Sequence, residues 1–270
     1  MENVLLAFGL TLMAGLATGV GSVLAFFTSR TNTKFLSLAL GFSAGVMIYV
    51  SMVEIFVKAQ DALVGAVGEE LGNWLTVIGF FAGMIVIALI DKFIPKHGNP
   101  HELKKVEDMN EADKVKEVKD PKLLKMGTFT ALAIAIHNFP EGIATFTSAV
   151  QDPALGVAIA IAIAIHNIPE GIAVSVPVYF ATGSKKRAFK LSFLSGLSEP
   201  IGAIAAFFIL MPFLNDIMFG MVFASVAGIM VFISLDELLP AAQEYDEAHI
   251  SIYGLIAGMA VMALSLLLVI

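Results

Sequence analysis

Along this chain, long apolar stretches alternate with short polar breaks, and the breaks hold nearly all of the charge. About 20 apolar residues in helical form cross a hydrocarbon core of roughly 30 Å. The pattern predicts membrane helices at about 4–27, 35–57, 73–95, 127–150, 154–181, 188–212, 217–240 and 251–270. One long polar segment, 96–126, separates the third span from the fourth and carries charges of both signs. The expected fold is an all-α integral membrane bundle of eight transmembrane helices. It forms one domain over 1–270, with 96–126 as a polar loop within it. Met1-Glu2-Asn3 lacks the basic region of a secretory signal, so the first apolar stretch is expected to stay as a span.

Composition agrees with a membrane protein. Hydrophobic residues make up 58% of the chain and charged residues 14%, against about 25% charged in ordinary soluble domains. There is no cysteine, which excludes disulfides, thiolate metal sites and cysteine nucleophiles. Of the 16 Lys and Arg residues, all but Lys58 fall after the first, third and fifth spans. The positive-inside rule makes those loops, 96–126 included, cytoplasmic and places both termini outside the cell membrane. The surrounding partner is the lipid bilayer, and no nucleic-acid partner is expected. Four GxxxG pairs, Gly15/Gly19, Gly41/Gly45, Gly79/Gly83 and Gly254/Gly258, predict close helix contacts in lipid.

The chemistry is concentrated in a duplication. The segment 133–144 reads AIAIHNFPEGIA and the segment 162–173 reads AIAIHNIPEGIA, differing only at Phe139 and Ile168. Each copy falls near the middle of its span, and a short turn near Asp152-Pro153 makes the two helices antiparallel. Two like motifs on antiparallel helices imply an inverted repeat, an architecture that transporters use with the binding site at the repeat interface. On a helix, His, Asn and Glu at i, i+1 and i+4 fall within an arc of about 100°. His137, Asn138 and Glu141 can therefore face His166, Asn167 and Glu170 across one cavity. The proline at i+3 frees a backbone carbonyl, which is tolerated at membrane depth where it lines a polar cavity.

Glu199, beside Pro200 in the sixth span, adds a third carboxylate at similar depth. A charged side chain at the bilayer centre costs about 2.5–3.5 kcal/mol or more. A divalent cation offsets the mutual repulsion of three such groups, and imidazole nitrogen suits borderline metals. Met47, Ser51 and Glu54 share one face of the second span and can line the same pathway. Asp236 and Glu237 are expected at a solvated helix end, and His249 in a solvated loop. His97, His101 and Glu102 form a weaker candidate metal cluster in the long loop.

These motifs resemble the ZIP (Zrt/Irt-like) family of divalent metal transporters, and within it the bacterial zinc-uptake branch. The likeness rests on His137-Asn138-Phe139-Pro140-Glu141-Gly142, His166-Asn167-Ile168-Pro169-Glu170-Gly171 and Leu197-Ser198-Glu199-Pro200. It extends to Ser43-Ala44-Gly45-Val46-Met47 and Ser234-Leu235-Asp236-Glu237-Leu238-Leu239-Pro240. The resemblance implies an eight-helix fold with a binuclear metal site in mid-membrane. His137, Glu141, His166 and Glu170 would surround one ion, with Met47 as a further contact. Asn138, Glu141, Asn167, Glu170 and Glu199 would surround the second. Many family members have aspartate where this chain has Asn167, a difference of one negative charge.

The function expected from this resemblance is uptake of divalent metal into the cytoplasm, zinc foremost, with iron, manganese, cobalt and cadmium as further substrates. No prosthetic group is expected, and a homodimer is an open assembly state. The rival from another class is an intramembrane metal-dependent hydrolase, since His and Glu can also hold a catalytic zinc. Against it, the chain has no HExxH motif. A passive channel using the same residues is the third alternative.

Overall fold

The computed structural model describes residues 2–27, 33–93, 121–213, 215–244 and 249–269. Eight helical rods run through them, with no strand among the described residues. They are α1 (Glu2–Phe27), α2 (33–67), α3 (Glu69–Phe93), α4 (Pro121–Gln151), α5 (Pro153–Thr182), α6 (185–213), α7 (216–244) and α8 (Ile250–Val269). The described part of every predicted span lies on one of them. The residues 94–120, which include His97, His101 and Glu102, lie outside the described residues.

Two boundaries differ from expectation, each for a local reason. Helix α2 runs to Val67, ten residues past the predicted end. Its last turns bury Ala59 and Leu63 while Lys58 and Asp61 stay exposed, so packing on one side continues the helix beyond the apolar stretch. Helix α4 begins at Pro121, inside the segment expected to be loop.

Seven of the described helices are long and apolar enough to cross a membrane. The exception is α4, although it is the longest helix without a π or 3-10 segment, at 31 residues. Its middle holds His137, Asn138 and Glu141, and Thr145, Thr147 and Ser148 follow within two turns. Helix α5 carries the same motif and still passes, so the added Thr145, Thr147 and Ser148 make the difference.

The turns are fixed by recognisable chemistry. Gly68, at φ +88°, reverses the chain between α2 and α3, and Gln60 Nε2 donates to Asn73 Oδ1 at 2.7 Å across that hairpin. Asp152 is the whole connection between α4 and α5. Its carboxylate accepts from the backbone N–H of Ala154 and Leu155, and Pro153 opens α5. A cap of this kind contributes about 1 kcal/mol. So short a turn forces α4 and α5 to lie side by side and antiparallel, which sets the two motifs facing each other.

Packing sorts the helices into two groups of four. Helices α1, α4, α5 and α6 pack on one another, and so do α2, α3, α7 and α8. Within the second group, Gly41 and Gly45 of α2 lie against backbone of Ser251 and Leu255, and Gly254 and Gly258 of α8 lie against backbone of Leu38 and Phe42. These are the predicted GxxxG contacts. The seam between the groups is crossed mainly where α5 meets α2 and where α4 meets α7.

Candidate metal centre

Helices α4 and α5 bring their motifs together in a reciprocal way. His137 Nε2 lies 3.4 Å from Glu170 Oε1, and His166 Nε2 lies 3.4 Å from Glu141 Oε1. Each imidazole thus faces the carboxylate of the other helix. His137, Asn138, Glu141, His166, Asn167 and Glu170 are all at most 2% exposed, as are Glu199 and Met47. With its amide turned to suit its neighbours, Asn138 donates to the Ile134 carbonyl at 3.0 Å and to Glu170 Oε2 at 3.2 Å.

Glu199 arrives from α6 through a break in that helix. The first segment ends at Gly196 and the next starts at Ser198. Pro200 has no N–H for the Gly196 carbonyl, so the helix cannot run straight through. Asn167 then holds the carboxylate: its amide nitrogen donates both to Glu199 Oε1 and to the Ala14 carbonyl, the latter at 2.9 Å. One side chain therefore ties α1, α5 and α6 together.

The motif glycines have a packing role of their own. Gly142 lies directly against backbone of Glu199, and Gly171 against the Thr18 carbonyl of α1. A Cβ at either position would overlap main-chain atoms. Close approach at Gly142 is what lets Glu199 reach the depth of Glu141.

The hydrogen bonding of the cluster is incomplete. Among the described residues, twelve buried side-chain N and O atoms have no hydrogen-bond partner, and eight of them belong to His137, Glu141, His166, Asn167, Glu170 and Glu199. Leaving such groups unsatisfied costs about 1–3 kcal/mol each, more if charged. The accumulation of acceptors at one depth is suited to a cation. Among the described residues, no three His, Asp or Glu side chains are already gathered closely enough to cage an ion. The side chains face one another as pairs.

Glu237 departs from its sequence-based setting. Glu237 was expected at a solvated helix end, yet its side chain is only 11% exposed and its Oε2 lies 3.6 Å from His137 Nδ1. The cause is a widened π-helical segment, Ser234–Leu238, preceding Pro240. Such single-turn widenings recur at functional sites. A signal was present: Glu237 stands three residues before a proline, the spacing of His137 to Pro140 and of His166 to Pro169. Asp236, its neighbour, is exposed as expected.

The remaining candidates are dispersed. Met47 is buried in the main apolar cluster with Ala144 and Ala162, which lie close to the two motifs. Ser51 is fully buried without a hydrogen-bond partner, whereas Glu54 sits 3.9 Å from Lys58 and is 17% exposed. Ser43 donates to the His166 carbonyl at 3.4 Å, linking α2 to α5. His249 is exposed, as expected of a loop residue.

Comparison with known proteins places the chain in a family. Residues 4–266 match the family model described as ZIP Zinc transporter. The chain is 74% identical over 268 residues to "Zinc transporter ZupT" of Lysinibacillus sphaericus, covering 99% of both chains. It is 71% identical to the protein of that name from Oceanobacillus iheyensis, again over 99% of both, and 61% identical to that of Clostridium perfringens, over 99% of this chain and 97% of the relative. The reciprocal His–Glu pairs thus sit in a chain that resembles these relatives almost end to end, and the chain belongs to the ZIP family of zinc transporters.

Proposed function

We propose that this protein carries zinc across the cell membrane into the cytoplasm, through the centre formed by α4, α5 and α6. The observation that carries this reading is the pair of 3.4 Å separations, His137 Nε2 to Glu170 Oε1 and His166 Nε2 to Glu141 Oε1. Two ligand atoms held at about 2.0–2.2 Å from a tetrahedral zinc ion stand about 3.4 Å apart. Each pair is therefore spaced for an ion between its members rather than for a short hydrogen bond. The zinc-transporter names of the relatives support the same substrate.

The ligand chemistry divides in two. The imidazoles with Glu141 and Glu170 make a nitrogen–oxygen set suited to zinc first, with iron, cobalt, manganese and cadmium as further substrates. Asn138, Asn167 and Glu199 with the same two glutamates make an oxygen set for a second ion. The near-identity of the two motifs and their exchanged partners support an inverted repeat of α4 and α5. The distribution of Lys and Arg supports cytoplasmic loops after α1, α3 and α5, with both termini outside.

As a member of a transporter family, the protein is not an enzyme, and the hydrolase alternative falls away. The direct test is zinc flux into proteoliposomes that contain only this protein. Saturable entry with counter-flow is the expected result. No flux would overturn transport, and linear, non-saturating flux would favour a passive channel over a carrier.

A further inference from the structure

On the side of α4 away from the metal centre lies a cleft of about 650 Å³ between α3, α4, α6 and α7. Its α4 wall is Ile136, Phe139, Pro140 and Ile143, a stripe at helical spacing. At 100° per residue, Phe139 and Ile143 point at least about 120° away from both His137 and Glu141, while Ile136 and Pro140 flank the two faces. Carbon lines the rest almost entirely.

Two serines reach the cleft, and both hydroxyls are already committed. Ser198 donates to the Ser195 carbonyl at 2.6 Å and Ser225 to the Gly79 carbonyl at 3.2 Å. Neither has a proton left to donate to a polar ligand. Apolar cavities of even 150 Å³ stay dry and take up hydrocarbon. This space is several times larger, and it borders the proline-containing turn of the motif helix.

The position of the mouth identifies the occupant. Val86 and Ile90 form its rim; they are 50% and 37% exposed and lie within the apolar span of α3. At that depth a membrane surrounds the protein with hydrocarbon, and a flexible methylene chain fits a nearly all-carbon lining that offers no free side-chain donor. We propose that an acyl chain of a bilayer phospholipid enters between α3 and α4 and fills this cleft. It would pack against Phe139 and Ile143, on the side of α4 turned away from Glu141. The proposal is independent of which metal is carried.

Photolabelling tests it. The protein is reconstituted with a trace of phosphatidylcholine bearing a diazirine in mid-chain, irradiated, and its adducts are mapped by peptide mass spectrometry. Adducts at Ile136, Phe139 and Val222 are expected to exceed those at the outward-facing Ile78 and Phe81 several-fold. Ala135→Trp and, separately, Val222→Phe fill the space and are expected to remove the excess while leaving the Ile78 and Phe81 adducts. Equal labelling of cleft and outer surface in the unaltered protein would overturn the proposal, whatever the variants do. So would an excess that survives both fillings.

Discussion

His137 Nδ1 of α4 lies 3.6 Å from Glu237 Oε2 of α7, so the metal centre reaches across the seam between the two groups of helices. The other nitrogen of the same imidazole faces Glu170. If His137 binds the ion as proposed, Glu237 stands where an outer carboxylate fixes a metal-binding histidine.

Loss of such a partner costs about 10–100-fold in metal affinity in other proteins. Glu237→Gln is accordingly expected to raise the KM for zinc uptake by about ten-fold with little change in membrane abundance. Uptake kinetics in whole cells, normalised to membrane content, measure this. An unaltered KM would reduce Glu237 to a spectator.

Glu141 and Glu170 each face a histidine of the opposite helix, and each leaves an oxygen without a hydrogen bond. Alanine at either position is expected to abolish zinc uptake while insertion persists, since the reciprocal pair cannot be completed. Radiozinc accumulation with quantitative immunoblotting checks it. Normal accumulation in both variants would remove the site.

Asn167→Asp replaces a donor with a carboxylate that faces Glu199 and the Ala14 carbonyl. Without metal, the buried carbonyl loses its donor and two acids oppose each other, a cost of at least about 1–3 kcal/mol. The variant is expected to unfold at lower temperature than the parent in chelator and to regain more stability from added zinc. Thermal unfolding in detergent, with and without zinc, reads both effects. Identical melting in chelator would show that Asn167 does not hold Glu199.

Gly142 touches backbone of Glu199, where no side chain can yield. Gly142→Val is expected to displace α6, and with it Glu199, and to remove most uptake even though no ligand is altered. Gly65→Val serves as the control, because nothing lies within 4 Å of a Cβ there. Comparable uptake by the two variants would contradict the packing role of Gly142.

Metal binding to imidazole and carboxylate displaces protons. Acidification therefore favours the metal-free form, and the zinc KM is expected to rise as pH falls. Initial-rate uptake from neutral to acid pH, with membrane potential clamped, tests the sign. A KM that is flat or falls with acidification would exclude proton competition at these ligands.

Much of this was legible in the residues themselves. A run of about 20 apolar residues has few stable alternatives to a membrane helix, because lipid offers no partner for backbone N–H and C=O groups. The spans were accordingly readable one by one. The duplicated His-Asn-x-Pro-Glu-Gly was readable too, because helical periodicity alone places its three polar residues on one arc.

Glu237 shows where that kind of inference stops. Its sequence neighbours suggest a helix end near water, but a widened turn before Pro240 rotates it toward His137. Likewise, nothing in the order of residues says that the Asn167 amide points at Glu199 and Ala14 rather than into the cavity. The cleft beside Phe139 and Pro140 is lined by four helices, α3, α4, α6 and α7, far apart in sequence. Local periodicity determined the helices and the motif faces, because both depend on neighbours within a turn or two. Which imidazole meets which carboxylate, and what lies behind them, was decided by how rods remote in the chain pack together, and that register is a property of the assembled bundle alone.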